Sequence, residues 1–316
     1  MMTRVDATAR DREALAKLSA PLDYPTNGAV DYSKVVMKKP WGYEYLMFQN
    51  DEVAVWILHL KAGTKTSMHC HLTKKTALVV LEHEVVCATM REEFTRGPGD
   101  GLMIAPGAFH QTKVTSERGA FVMEVESPAN KHDLVRCADE YGRVGQGYET
   151  VDKHAFGSNY NYLTLSQSEI YHNVTKRFGR CTLTLRRLPK GRNIAELRAL
   201  RDDDVLSVLR GRVIDEGGRV ILDVGDTAAI GSMKAASELR IDGEALEVLI
   251  VKTSDSIIKV SDYLMTCLKS QGVRDVFFVP GDANVHLMDS LGRDEALRYL
   301  CHHTERVAAM AAEAYS

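Results

Sequence analysis

Three histidines are the side chains of this sequence whose type and spacing point most directly to chemistry. His69 and His71 are separated by one residue, and His110 follows a Pro-Gly pair at positions 106 and 107. Residues two apart on a strand point to the same side, so His69 and His71 can face one interior point. A third imidazole from another strand would give a three-nitrogen site with open coordination positions, suited to zinc, iron, manganese, nickel or copper. Without a metal, the same histidines would be polar residues that line a ligand-binding barrel.

Strand-length apolar segments surround these histidines and must position them. They run from about residue 39 to residue 126, several alternate with a period of two, and no helix-period stretch interrupts them. A second series of the same kind runs from about residue 162 to residue 253. The sequence therefore predicts a mainly β protein that contains sandwich or barrel domains.

The second series repeats the first. Residues 55–63 (VWILHLKAG) resemble residues 183–191 (LTLRRLPKG), and a Gly-Asp pair follows at a similar distance in both. In the second copy, the positions that match the three histidines hold Leu197, Ala199 and Ala236. These side chains cannot ligate a metal, so we expect the second copy to be structural.

The histidine spacing resembles the two signature motifs of the cupin superfamily. Gly63-x5-His69-x-His71 matches the first motif, and Gly99-Asp100 followed by Pro106-Gly107-x2-His110 matches the second. The preceding residues 39–44 (KPWGYE) are similar to the opening segment of cupins of the mannose-6-phosphate isomerase type. The resemblance implies two tandem jelly-roll barrels, with a divalent Zn, Fe, Mn or Ni ion held by the three histidines of the first.

One position departs from the cupin pattern. That pattern places a glutamate ligand four or five residues after the second histidine, where this chain has Lys75 and Thr76, followed by Ala77. Glu82 and Glu84 are alternatives that lie outside the expected place. The resemblance therefore implies a site of three histidines and water, with an altered metal preference.

Two functions for this first barrel stay open. By resemblance it binds a sugar or sugar phosphate and isomerises or epimerises it, with the metal polarising a carbonyl or hydroxyl oxygen. Alternatively, it is a non-catalytic bicupin that recognises a small carbohydrate-like metabolite and regulates a fused enzyme. The missing motif carboxylate leaves proton transfer without an obvious general base, which keeps the second function in contention.

At about residue 260 the pattern changes to helices that alternate with fully apolar strands, which indicates a parallel α/β sheet. Residues 261–273, 276–283 and 303–315 resemble the N-terminus of thiamine-diphosphate-dependent enzymes of the acetolactate synthase and 2-oxo-acid decarboxylase group. The resemblance implies that Glu305 hydrogen-bonds the cofactor's aminopyrimidine and so activates it, while Pro280 and Gly281 form part of the cofactor-binding turn.

That resemblance also implies that the segment is incomplete. The family binds diphosphate and Mg²⁺ through a separate C-terminal domain, so we expect residues 256–316 to be unable to assemble the cofactor site alone. We expect the chain to be a fragment of a longer fusion; a relic that serves as an interaction surface is the alternative. The predicted segments are an N-terminal arm (1–36), a cupin barrel (37–130), a linker (131–160), a degenerate second barrel (161–255) and this α/β segment (256–316).

Composition excludes several classes of partner. The 316 residues are 45% hydrophobic and 26% charged, and the net charge of −3 gives no electrostatic footprint for nucleic acid. The six cysteines are widely scattered, which argues against a disulfide framework. With no signal-peptide pattern and no apolar run of about 18 residues, we expect a cytoplasmic protein that does not bind membranes. By resemblance to cupins, we also expect a homodimer or higher homo-oligomer.

Overall fold

The structure is a computed structural model. It describes residues 1–18, 31–148, 152–157, 159–190, 197, 200–234, 239–253, 260–292, 294 and 296–315. The chain divides into two compact units, Met1–Ser254 and Asp255–Ser316. The first unit is mainly β and the second alternates helices with strands, which confirms the predicted fold class. Within the described residues, no helix is long and apolar enough to cross a membrane.

Two facing sheets form the barrel that carries the histidines. In chain order its elements are β1 (Met2–Val5), α1 (Ala9–Ala16), β2 (Val35–Lys39), β3 (Gly42–Gln49), β4 (Ala54–Leu60), β5 (Met68–Cys70), β6 (Lys75–Glu82), β7 (Val85–Thr89), β8 (Glu93–Arg96), β9 (Gly101–Ile104), β10 (His110–Val114), β11 (Ala120–Ser127), β12 (Val135–Ala138) and β13 (Lys153–Ala155). The large sheet has the order β1-β9-β6-β11-β4-β3-β2-β13, and the small sheet has the order β12-β5-β10-β7-β8. This arrangement is a jelly roll, in which side chains alternate between the interior and the exterior of the barrel.

The predicted arm and linker both contribute to this barrel. In the arm, β1 pairs in parallel with β9, and Asp11 accepts a 2.9 Å hydrogen bond from the backbone N–H of Phe109. In the predicted linker, β12 pairs with β5, and β13 pairs with β2. The barrel therefore extends on both sides of residues 37–130.

The second series of strands forms a third sheet, here called the repeat sheet. Its elements are β14 (Thr175–Phe178), β15 (Cys181–Pro189), β16 (Val205–Asp215), β17 (Val220–Leu222), β18 (Thr227–Ala229), helix α2 (Ile230–Lys234) and β19 (Leu239–Thr253). The strand order is β14-β15-β19-β16-β17, with β18 paired to β16. A 3₁₀ helix at Gln167–His172 precedes it. Leu197, which matches His69 in the repeat, is buried in an apolar cluster, while Ala199 and Ala236 lie outside the described residues.

The large sheet is buried on both faces, and this fixes which of its side chains enter the barrel. On β11, Val122 packs inside the barrel in a cluster that includes Val114 of the small sheet. The next residue, Met123, packs on the opposite face in a cluster that includes Leu183 and Leu249 of the repeat sheet. Alternation along β11 therefore directs Glu124, like Val122, toward the barrel interior.

The second unit consists of α3 (Val260–Ser270), β20 (Asp275–Phe278), a 3₁₀ turn at Asp282–Asn284, α4 (Val285–Gly292), β21 (Arg298–Cys301) and α5 (Glu305–Tyr315). The two strands pair in parallel, with Phe278 opposite Cys301. A small core contains Met265, Leu291 and Leu297. The predicted alternation of helices and parallel strands is thus present.

Candidate metal centre

The three predicted histidines meet inside the first barrel. His69 lies on β5 directly opposite His110 at the start of β10, and His71 immediately follows β5. The ring centroids are separated by 4.4 Å for His69 and His110, 5.1 Å for His69 and His71, and 5.2 Å for His71 and His110. One nitrogen from each ring lies within 4.8 Å of the other two. Antiparallel pairing of β5 with β10 therefore produces the cluster that the spacing predicted.

Backbone carbonyls fix the orientation of all three rings. The Nδ1 atom of His69 lies 2.8 Å from the carbonyl oxygen of Ser67, that of His71 lies 2.6 Å from Asp133, and that of His110 lies 3.1 Å from Ala108. A carbonyl oxygen only accepts, so each Nδ1 must carry the proton and each Nε2 must present a lone pair. This is the arrangement by which proteins orient histidine ligands toward a metal.

The protonation state of the rings also suits a cation. Burial lowers the pKa of all three histidines, and neighbouring positive charges such as Lys74 lower the pKa of His71 further. The imidazoles are therefore neutral at pH 7. Among the described residues, the Nε2 atom of His71 is buried with no hydrogen-bond partner. A buried acceptor without a donor is costly, and a metal ion would satisfy it.

The loops that carry His71 and His110 are tied together. The backbone N–H of Gly107 donates to the carbonyl of His71 at 2.7 Å, and Gly107 has φ of +79°, a conformation that favours glycine. The Asp133 carboxylate accepts hydrogen bonds from the backbone N–H groups of residues 72, 73 and 74 at 2.7–2.9 Å. Burial would raise the pKa of Asp133, but these bonds and the Thr73 hydroxyl hold it below its ordinary value. The site is thus supported by a residue of the predicted linker.

A cavity of about 60 Å³ lies against the three histidines. At roughly 10–15 Å³ for each water, this is space for about four to six water molecules or a group of similar size. Its ionisable lining residues other than the histidines are Lys39, Glu44, Lys74, Glu124, Lys131, Arg136, Arg143 and Tyr148. The cavity is therefore strongly polar and carries charges of both signs.

The buried lysines and glutamates around the cavity are paired. Lys74 forms a salt bridge with Glu126, and each side chain is only 1% exposed; Glu126 also accepts a 2.9 Å hydrogen bond from Trp56 Nε1. Lys131 lies 3.3 Å from Glu124 and 3.9 Å from Glu44. Pairing of this kind is what allows charges to be buried at all.

These pairs set the charge states. Burial alone would raise the pKa of Glu124, but attraction to Lys131 and Lys74 lowers it below its ordinary value. Burial alone would lower the pKa of Lys131, but attraction to Glu124 and Glu44 raises it above its ordinary value. Glu124 is therefore an anion and Lys131 a cation at pH 7. Burial and the hydrogen bond to Glu44 raise the pKa of Tyr148 well above its ordinary value, so its phenol stays protonated.

None of the alternatives for the missing motif carboxylate enters this cavity. Thr76 is buried on β6 opposite Glu126, and Lys75 pairs at 2.7 Å with Asp226 of the repeat sheet. Glu82 and Glu84 are absent from the described lining of the cavity. The carboxylates that line it, Glu44 and Glu124, come from other strands, and sequence reasoning missed both.

The residues predicted to contact thiamine diphosphate lie in the second unit. Pro280 and Gly281 follow the end of β20, and Glu305 begins α5 just after β21. Because β20 and β21 are parallel with their last residues paired, the segments that follow them lie at the same edge of this sheet. Glu305 is exposed there. The structure thus places these three residues at one edge.

The comparisons with known proteins follow the division into two units. Residues 258–316 match the family model described as "Thiamine pyrophosphate enzyme, N-terminal TPP binding domain". No curated protein matches the chain in sequence.

Three solved structures illustrate what the barrel is similar to. A cupin-superfamily sugar phosphate isomerase from Silicibacter pomeroyi is 22% identical over 25% of this chain and 52% of its own, with a TM-score of 0.24. KdgF from Halomonas sp. is 14% identical over 30% of this chain and 88% of its own, with a TM-score of 0.29. A double-stranded β-helix protein from Klebsiella pneumoniae is 16% identical over 31% and 84%, with a TM-score of 0.28. The match spans about half of the first of these proteins, and all three are too distant to transfer an activity.

The two units therefore define a class of fusion. The two-sheet barrel with its paired histidine motifs is a cupin-type jelly roll. The α/β segment that follows it is similar to the N-terminal domain of thiamine-diphosphate enzymes over residues 258–316.

Proposed function

We propose that the first barrel holds a divalent metal ion on His69, His71 and His110 and binds a small carbohydrate-like molecule beside it. The observation that carries this proposal is the orientation of the three rings. Each Nδ1 donates to a backbone carbonyl oxygen, so the Nε2 atom of each neutral imidazole has a free lone pair beside the cavity. A bound ion would supply Lewis-acid polarisation of a carbonyl or hydroxyl oxygen of the ligand.

Side chains of the cavity supply the rest of the recognition. The Lys131 ammonium can donate to ligand hydroxyl groups, and the Glu44 carboxylate can accept from them. Tyr148 donates to Glu44, and the Lys39 ammonium lies 3.7 Å from the centre of the Tyr148 ring, so this side of the cavity is ordered. Paired donors and acceptors of this kind suit a polyhydroxylated ligand better than an apolar one.

Binding is better supported than catalysis by the charge states of these groups. The pKa of Glu124 is lowered, and the pKa values of Lys131 and Tyr148 are raised. Each of the three pKa values is therefore shifted further from pH 7. An efficient general acid or base has a pKa near the working pH. This is the observation that favours a regulatory or ligand-binding bicupin over an isomerase or epimerase.

One experiment separates the two functions. The purified chain would be loaded with Zn²⁺, Mn²⁺, Fe²⁺ or Ni²⁺ and mixed with mannose 6-phosphate, fructose 6-phosphate and the corresponding free sugars. Calorimetry measures binding, and proton NMR in D₂O measures C–H exchange and isomerisation. We expect metal-dependent binding that His71→Ala abolishes and that His154→Ala, a control outside the cavity lining, leaves intact. Solvent exchange at a sugar carbon would establish catalysis, whereas metal-independent binding would contradict the proposal.

We further propose that Glu305, Pro280 and Gly281 contact thiamine diphosphate when the remainder of its site and Mg²⁺ are supplied by another domain. The match of residues 258–316 to the thiamine-diphosphate family and the shared sheet edge support this proposal. Calorimetry of this chain with thiamine diphosphate and Mg²⁺ is expected to show no measurable binding. Tight binding that Glu305→Gln leaves unchanged would refute the role of Glu305.

A further inference from the structure

The charges around the histidine cluster present a problem for any dication that binds there. The three imidazoles are neutral, so they do not compensate the charge of the ion. The cationic side chains of Lys74 and Arg136 line the same cavity as the three rings. An anionic ligand would stabilise a buried dication in such surroundings.

Two carboxylates line the cavity within the described part of the chain, and they differ in how firmly they are held. Glu44 is fixed by Tyr148 and lies between the ammonium groups of Lys39 and Lys131, at 3.7 Å and 3.9 Å. Glu124 accepts one long hydrogen bond of 3.3 Å at Oε2, from Lys131. Its side chain lines the same cavity as His69, His71 and His110.

Glu126, the next inward-facing residue of β11, is not available. Its Oε1 atom accepts from Trp56 Nε1, and its Oε2 atom accepts from Lys74, so both oxygens are already used. Of the carboxylates on this strand, Glu124 is therefore the one that can turn toward the histidines.

Release of Glu124 would not leave Lys131 without compensation. The Lys131 ammonium keeps Glu44 at 3.9 Å and lies 4.2 Å from the centre of the Trp56 ring. A cation held by a carboxylate and an aromatic face retains much of its stabilisation. Glu124 can therefore leave Lys131 without leaving the ammonium group unpaired.

We propose that Glu124 is the anionic ligand that completes the metal centre of His69, His71 and His110. This inference rests on the metal site proposed above and adds a ligand that the histidine motifs do not contain. The carboxylate comes from β11 of the large sheet, whereas the histidines belong to β5, β10 and the loop after β5. Bound metal would thus link the two sheets of the barrel.

The test is a Co²⁺ titration of the metal-free full chain, followed by visible absorption, whose d–d bands report the ligand set. Glu124→Gln keeps the shape of the side chain and removes its charge. We expect this variant to weaken Co²⁺ binding by about 10–100-fold or more and to shift the d–d bands. Loss of a residue that only hydrogen-bonds a metal ligand already costs about 10–100-fold in affinity, and loss of a ligand should cost at least as much. The control is Glu82→Gln, which removes a carboxylate of the same barrel that does not line the cavity and should leave the bands unchanged.

A second variant covers the case in which Glu124→Gln fails to fold. The double variant Glu124→Gln, Lys131→Met removes both charges of the ion pair, so neither partner is left as an unpaired charge. The loss of Co²⁺ affinity should persist in this double variant. Wild-type affinity and bands in either folded variant would overturn the role of Glu124. Failure of the wild-type chain to bind Co²⁺ would instead overturn the metal site itself, and with it this inference.

Discussion

The buried pair of Lys74 and Glu126 offers a quantitative test of how the barrel tolerates charge beside the histidines. Both side chains are 1% exposed, and Glu126 also accepts a hydrogen bond from Trp56. Lys74→Met leaves a buried carboxylate, and Glu126→Gln leaves a buried ammonium while keeping an acceptor for Trp56. The double variant removes both charges and so measures how strongly the two residues are coupled.

The expected magnitudes follow from this burial. Removing one partner of a buried ion pair costs about 3–5 kcal/mol, because the remaining charge is left without compensation. At about 2–4 °C for each kcal/mol in a domain of this size, either single variant should melt roughly 6–20 °C lower than wild type. The double variant should lose much less, since replacing both charges is often close to neutral. Lys176→Met is the control: its side chain is 33% exposed and pairs with Glu169 at 2.6 Å, so we expect a loss of about 0–1 kcal/mol.

The assays are thermal melting and urea unfolding of the metal-free chain, both followed by tryptophan fluorescence. Both tryptophans, Trp41 and Trp56, are buried in the barrel, so the signal reports this unit. A single variant with the denaturation midpoint of wild type would refute the reasoning, because Lys74 and Glu126 would then not depend on each other. A double variant that loses as much as the two single variants combined would refute it equally.

Three further predictions concern the supports and the titration of the site. Asp133→Asn should lower metal affinity about 10–100-fold, as calorimetry with Zn²⁺ would show, because the loop after His71 loses its charged acceptor; unchanged affinity would mean that this clamp does not position His71. Asp11→Ala should cost about 1–2 kcal/mol in urea unfolding, because it removes the capping partner of Thr8 and the acceptor for Phe109 N–H; no loss would show that the arm does not support the barrel. In the metal-free folded chain, the pKa values of the three histidines are lowered, so the unfolded state binds protons at a higher pH than the folded state does. The free energy of unfolding should therefore fall as the pH drops below about 6.5. A rise in the urea midpoint between pH 6.5 and pH 5 would contradict those shifts.

The histidine cluster was predictable from sequence because it depends on local spacing. His69 and His71 share a side through the period of a strand, and His110 follows a turn with its own signature. The change of pattern near residue 260 was equally visible, since helices and apolar strands have different periods. Both features need only short stretches of chain.

The buried charges were not predictable in the same way, because they depend on which strands become neighbours. Glu124 and Glu126 lie opposite Leu78 and Thr76 through pairing of β11 with β6, and neither position follows from a motif. Asp133 and Tyr148 reach the site from a segment that resembled a linker. The available signal was the pair of glutamates within the otherwise apolar strand 120–126 (AFVMEVE), since carboxylates at such positions are seldom buried without a partner.

The central claim, a metal held by His69, His71 and His110, is tested most directly by the metal content of the purified full chain. Elemental analysis after reconstitution with Zn²⁺ and removal of excess ion should give about one ion per chain. His69→Ala and His110→Ala should each give none while remaining folded, and the control His154→Ala, which lies outside the cavity lining, should match wild type. Absence of bound metal in the wild-type chain, or retention of it in both site variants, would contradict the account.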